Sequence, residues 1–199
     1  MIFSNGHMVW LDTCVQHIFA AKILLKMGLV LERWQEIEEI EDEITFLTEF
    51  VNNNLWNSQT QFYYDRYAGG KMSNVKSIGA YWALIAGIVP DDQNDAFVKN
   101  LENPEEFNRP HRIPSLSFSH PVYKKNGRYW QGGVWNPTNY MVLRGLDMAG
   151  KNNLAHEIAL NHLKNVVEVF EKTGTVWEYY APESADPGLM ARPDFVGWG

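Results

Sequence analysis

Apolar residues occupy most faces of the segment 9–27, and Gly28 follows where a helix C-cap would fall. A helix that is apolar nearly all round is a buried one. From 31 to 55 the pattern changes. Trp34, Ile37, Ile40, Ile44, Leu47, Phe50 and Val51 recur at three- and four-residue steps, with Glu36, Glu38, Glu39, Glu41, Asp42 and Glu43 between them. This predicts an amphipathic helix whose acidic back is a solvated face. The string FYYDRY at 62–67, followed by Gly69 and Gly70, predicts a short strand entering a tight turn. A second, nearly all-apolar helix is expected over 75–87, stopped by Pro90, and a short amphipathic one over 91–101. The stretch 103–134 is rich in Pro, Ser and Gly, with little periodicity. Loops of that length in a compact domain are uncommon and are often functional. A third apolar helix is expected over 136–150, with Pro137 suited to its first turn. A third amphipathic helix follows over 153–173, and a last loop begins at Gly174.

Buried helix, amphipathic helix and loop thus alternate three times, with starts near 9, 75 and 136 spaced by about sixty residues and no close self-similarity. The pattern predicts an all-α fold of layered helical hairpins, an inner ring of apolar helices wrapped by a half-exposed outer ring, with a small β-hairpin in the loops. Three hairpins make only an arc. An arc leaves apolar surface uncovered at both ends, so self-association through those edges is expected.

Composition narrows the function. The chain has 199 residues and a formal net charge of −7, which argues against non-specific nucleic-acid binding. No uninterrupted apolar run approaches the ~18 residues of a membrane span, and no membrane partner is expected. The first residues show no basic region followed by an apolar core, so no secretory signal is read there. Both ends are expected truncation points, and localisation is unreadable. The single cysteine, Cys14, reads as a buried small hydrophobe. The six histidines show neither HxH nor HExxH spacing, so neither a metal nor another cofactor is expected. The unusual quantity is the aromatic load: Trp 8, Tyr 9 and Phe 10.

Two segments concentrate it. In YWQGGVWNPTNY, residues 129–140, two tryptophans flank a Gly-Gly pair beside Gln131, Asn136 and Asn139. Glycines let a ligand approach closely, aromatic faces accept sugar C–H groups, and amides both donate to and accept from hydroxyls. In TVWEYYAPE, residues 175–183, Glu178 sits among Trp177, Tyr179 and Tyr180. A carboxyl in that setting is partly desolvated and suited to proton transfer. The same residues also fit a plainer reading, with the aromatics as core plugs and Glu178 paired with an arginine such as Arg144 or Arg192. On the residues alone both stay open.

The string YWQGGVWNPTNYMVLRGL resembles the YWRGPVWPPxNYLxLRGL segment of the (α/α)6-barrel glycoside hydrolases: the trehalases, the family 63 processing α-glucosidases and the mannosylglycerate hydrolases. TGTVWEYYAPES is similar to their FWENYNP segment, and RPDFVGWG to a later D-F-x-G-W stretch. VWLDTCVQHIFAAKILLKMG, LWNSQTQFYYDRY, NPEEF and IPSLS resemble further segments in the same order. The resemblance implies a fold of two helical rings, of which residues 1–199 form the C-terminal half of one catalytic domain. It implies inverting hydrolysis of a di- or oligosaccharide, with an aspartic acid protonating the leaving oxygen and a glutamate activating water roughly 6.5–9.5 Å away. The base maps onto Glu178. Trp130 and Gln131 map onto the Trp and Arg lining the sugar site, and Trp135, Asn139, Trp177, Tyr179 and Asp194 complete the expected substrate-binding set.

There are departures. Gln131 replaces a charged fork by a neutral amide, and Tyr179 stands at the family's usual Asn. The family's acid lies upstream of the segment matched by 9–28, and no such segment is present; Asp12 reads as structural and Asp65 as a turn residue. The alternative implied by the missing acid is a catalytically incomplete carbohydrate-binding or scaffold fragment. Two other helical toroids fit less well: epimerases rely on pocket histidines and cyclases on DxDD or DDxxD acids, and neither segment carries either.

Overall fold

A computed structural model describes residues 8–195. Helix α1 (Leu11–Val30) buries Leu11, Val15, Ile18 and Ala21 at three- and four-residue steps, the spacing of one helical face. Its other flank, with Ile23, Leu24, Met27 and Val30, is exposed. The expectation of burial all round therefore holds for one face only. By length and composition α1 is also apolar enough to cross a bilayer, although Asp12, Gln16, His17, Lys22 and Lys26 interrupt its apolar run. Gly28 does not cap this helix. It lies inside it, where a Cβ would come within 2.4 Å of Ile37 Cγ2, so its missing side chain lets α2 (Trp34–Asn54) pack closely. In α2, Ile37 and Val51 are buried and Ile44, Leu47 and Phe50 pack against the core, whereas Trp34 turns outward.

The expected strand over 62–67 divides. Strand β2 (Trp56–Asn57) pairs antiparallel with β3 (Phe62–Tyr63), and β4 (Arg66–Tyr67) pairs with β1 (Met8–Val9). Between β3 and β4, the Asp65 carboxylate accepts the N–H of Leu11 at 2.8 Å and caps the start of α1 from a distance. Burial pushes that carboxyl up from its ordinary value, against the opposing hydrogen bond from Leu11.

The helix expected over 75–87 is much shorter. A 3-10 turn over Ile78–Tyr81 continues into α3 (Trp82–Ile85). The residues before it are drawn into an extended pairing instead: Ser77 bridges Leu116, Ile78 N–H donates to Ser115 O at 3.1 Å, and Ser117 N–H to Lys76 O at 3.0 Å. Helix α4 (Asp91–Lys99) carries Asp91 and Asp92 in its first turn, where carboxylates oppose the helix dipole favourably. Helix α5 (Asn136–Met148) starts with Pro137 in its first turn, and α6 (Asn152–Thr173) ends at Gly174 in the left-handed conformation.

Helices α1, α3 and α5 pack side by side; α2 covers α1 and α6 covers α5. At the α3–α5 crossing a Cβ on Gly145 would stand 2.7 Å from Leu84 Cβ, so glycine sets the closeness of that contact. Phe97 of α4 stacks on Tyr81 with centroids 4.8 Å apart, and both join Phe62, Tyr63 and Phe107 in a fully buried aromatic centre. Among the described residues the helices form part of a helical toroid, with α1, α3 and α5 inside and α2 and α6 covering α1 and α5.

Candidate active site

The long loop and the segment after α6 are stitched by backbone hydrogen bonds. Val134 and Tyr180 exchange two, each 2.9 Å, and Val134 also bridges Pro114. Ser115 N–H donates to Gly133 O at 3.0 Å, Glu178 N–H to Arg192 O at 3.0 Å, and Gly188 N–H to Tyr179 O at 2.9 Å. These bonds bring the two aromatic segments, far apart in sequence, onto one scaffold.

Their side chains form a stack. Trp130 and Trp135 lie with ring centroids 4.7 Å apart at 18°, and Trp135 and Tyr179 at 4.5 Å and 28°. Tyr129 meets all three edge-on at 5.7, 5.3 and 6.1 Å. Such offset and edge-on arrangements each contribute about 0.5–1.5 kcal/mol beyond area burial. Two glycines make room: a Cβ on Gly188 would lie 2.2 Å from Tyr179 Cδ2, and one on Gly133 2.5 Å from Tyr129 O. The Tyr179 hydroxyl donates to Leu189 O at 2.8 Å.

The stack sorts the expected sugar contacts. Trp135 is 3% exposed and covered on both faces, and Tyr179 is 2% exposed, so these two form the backing. Among the described residues Trp130 ends the stack, half-buried. Asn139 uses its amide within the scaffold. It is fully buried, its Oδ1 accepts Ile113 N–H at 2.7 Å, and its Nδ2 donates to Ile113 O and Trp135 O at 3.2 and 3.0 Å. Trp177 is anchored by Nε1 donating to Thr173 Oγ1 at 3.0 Å and packs beside Val134, Val169 and Tyr180. Gln131 Oε1 is buried with no hydrogen-bond partner among the described residues. Asp194 is exposed; its carboxylate accepts the Thr175 hydroxyl and its N–H donates to Val176 O at 2.9 Å. The end of the D-F-x-G-W stretch, 196–199, lies outside the described residues.

Glu178 is half-buried, and no described residue donates a hydrogen bond or an ion pair to its carboxylate. The arginine-pair reading is not realised: Arg144 binds Asp147 at 3.2 Å, and the Arg192 backbone is what meets Glu178. The neighbouring carboxylate is the committed one. Glu183 takes two hydrogen bonds from Arg109, at 2.7 and 2.8 Å, and one from Tyr123 Oη at 2.8 Å. Burial alone would raise the Glu183 carboxyl; the Arg109 and Tyr123 hydrogen bonds and the Arg109 charge outweigh it and hold the group below its ordinary value. Arg109 also lies 3.7 Å over the Phe118 ring, and the Tyr123 ring packs on Gly132. The sequence gives no sign of this clamp or of the His111–His162 pair, because their partners lie more than fifty residues apart. Among the described residues no three His, Cys, Asp or Glu side chains gather to hold a metal ion.

The sequence matches the mannosylglycerate hydrolase MGH1-like glycoside hydrolase domain over residues 9–194, and the chain belongs to that family. It is 27% identical over 191 residues to a probable mannosyl-oligosaccharide glucosidase of Schizosaccharomyces pombe, covering 86% of this chain and 23% of that protein. It is 30% identical over 130 residues to the mannosylglycerate hydrolase of Thermus thermophilus, covering 64% of this chain and 29% of that protein. The crystal structure of the family 63 mannosylglycerate hydrolase from Thermus thermophilus in complex with Tris superposes with a TM-score of 0.78 at 24% identity, over 92% of this chain and 42% of that one. The chain thus spans less than half the length of the relatives it matches.

Proposed function

We propose that this chain is the base-bearing, C-terminal half of an inverting glycoside hydrolase domain acting on a di- or oligosaccharide. Glu178 is the general base, Trp130 the sugar platform, and Gln131 a neutral hydroxyl-binding amide beside it. The observation that carries the reading is the contrast between two neighbouring carboxylates. Glu183 is fully engaged by Arg109 and Tyr123, whereas the half-buried Glu178 carboxylate takes no hydrogen bond or ion pair from any described residue, which suits it to bind a water. The family resemblance implies a general acid upstream of the segment matched by 9–28; within this chain Asp12 accepts Thr13 N–H, Asp65 accepts Leu11 N–H and Asp194 accepts the Thr175 hydroxyl. Substrate candidates follow the family: mannosylglycerate, trehalose and glucosyl oligosaccharides.

The test is the stereochemistry of hydrolysis by the full-length protein, followed by proton NMR on that panel. Initial release of the inverted anomer supports the reading. A retained anomer overturns the single displacement in which Glu178 directs water onto the glycosidic carbon, because retention proceeds by two displacements.

A further inference from the structure

The two site segments are joined by a pair of histidines, His111 fully buried and His162 half-buried, that the proposed chemistry does not use. His111 lies in the long loop; its backbone N–H donates to Pro182 O at 2.8 Å, and its ring stands 5.7 Å from that of Tyr180. Its Nε2 is 3.0 Å from Nδ1 of His162, on α6. On the far side, His162 Nε2 is 2.9 Å from the Asn136 amide, the first residue of α5 and the neighbour of Trp135. One end of this line touches the strand carrying Glu178 and Tyr179. The other touches the loop carrying Trp130 and Trp135, and the outer helix supplies the middle.

Two ring nitrogens at hydrogen-bond distance share one proton; a second would set donor against donor. Burial and the neighbouring imidazole lower His111 to about 3, and burial lowers His162 to about 4, so both rings are neutral near pH 7. The nearest charge does not alter this. Arg112 directs its guanidinium to Glu157 of α6 at 2.6 Å and its N–H to Asn161 Oδ1 at 2.9 Å. Tyr180 presents its ring, and no carboxylate among the described residues bonds to either imidazole.

We propose that His162 is a positioning residue. Through Asn136 and His111 it locks the Trp135 end of the stack against the Tyr180–Pro182 strand, and so fixes where Glu178 stands relative to Trp130. The activity consequence rests on the glycosidase reading; the lock itself does not, and the experiment separates the two. Proton–nitrogen NMR of the imidazoles in the whole protein should show His111 and His162 neutral, each in one tautomer, with no titration between pH 8 and 5. Asn136→Asp sets a carboxylate against His162 Nε2 and should raise that ring's titration above the ordinary histidine value. His162→Leu should change the near-ultraviolet circular dichroism of the Trp130–Trp135 stack and lower kcat by about 10- to 100-fold, with KM moved by less than about threefold. His162→Gln, which keeps a donor and an acceptor, should recover part of both.

Titration of either ring near 6.5 in the unmodified protein overturns the proposal. So does a His162→Leu protein with unchanged near-ultraviolet spectrum and kcat. Should His162→Leu fail to fold, the imidazole spectra of the unmodified protein and of Asn136→Asp decide. Should Glu178→Gln leave hydrolysis intact, the glycosidase reading fails while the imidazole and near-ultraviolet signals still decide the lock.

Discussion

Gly133→Ala adds one methyl group where the stack is tightest. The new Cβ would meet Tyr129 O at 2.5 Å, Tyr179 Cδ2 at 2.9 Å and Trp135 Nε1 at 3.1 Å. Gly133 lies outside the left-handed backbone region, so alanine meets no conformational strain there and the effect is purely steric. Two of the three obstructing atoms belong to rings stacked on one another, and the third is backbone; none is a flexible side-chain end that swings aside. Overpacking of this kind costs about 1–3 kcal/mol, offset by about 0.4–1 kcal/mol from the reduced entropy of the unfolded chain. The expected net loss of about 1–2 kcal/mol lowers Tm by about 2–8 °C for a domain of this size. Gly69→Ala is the control: nothing lies within 4 Å of its Cβ and its φ is not positive, so its Tm should hold or rise slightly. Thermal melts followed at far- and near-ultraviolet wavelengths measure both. A Gly133→Ala protein as stable as Gly69→Ala, with an unchanged near-ultraviolet spectrum, would refute the account of the stack.

Glu183→Gln removes the charge that Arg109 and Tyr123 hold, and should cost about 1–3 kcal/mol near neutral pH in denaturant titrations. Because the folded Glu183 carboxyl is held below its ordinary value, its contribution is present above the unfolded carboxylate range and is lost as pH falls through the lowered folded value. The variant should therefore lose less on acidification than the parent, and parallel acid limbs would refute this. The neutral His111–His162 pair acts in a higher window. The unfolded chain takes up protons below about 6.5 while the folded rings resist, so stability should fall by about 1.4 kcal/mol per pH unit per histidine between roughly pH 6 and 4. His162→Gln should flatten that slope, measured by urea titrations at stepped pH. The exposed apolar flank of α1, with Ile23, Leu24, Met27 and Val30, predicts that this chain on its own self-associates. Light scattering that finds a monomer at all concentrations would contradict it, and Leu24→Lys with Met27→Lys should reduce the association.

The alternation of apolar and amphipathic segments was enough to read the helical layers, since burial face and helix period are written locally. Three features were not local. Gly28 looked like a cap because its role depends on Ile37 of the next helix, and the helix expected over 75–87 shortened because Ser77 and Ile78 found strand-like partners at Leu116 and Ser115. Helix α1 looked buried all round because sequence cannot say which neighbours are present. In the site, the aromatic segments and Glu178 were legible from residue type, but the division of labour was not. Trp135 and Asn139 read as sugar contacts until their faces and amide groups proved to be used inside the protein. The Arg109–Glu183–Tyr123 clamp left no trace in the spacing, since a salt bridge across a loop obeys no period.

Glu178→Gln in the full-length protein tests the water-activating role of this carboxylate most directly. The substitution keeps the size and the half-buried position and removes only the basic lone pairs. The account predicts a kcat lower by about 10²–10⁴-fold, with Tm and near-ultraviolet spectrum unchanged. Turnover within a few-fold of the parent would contradict it.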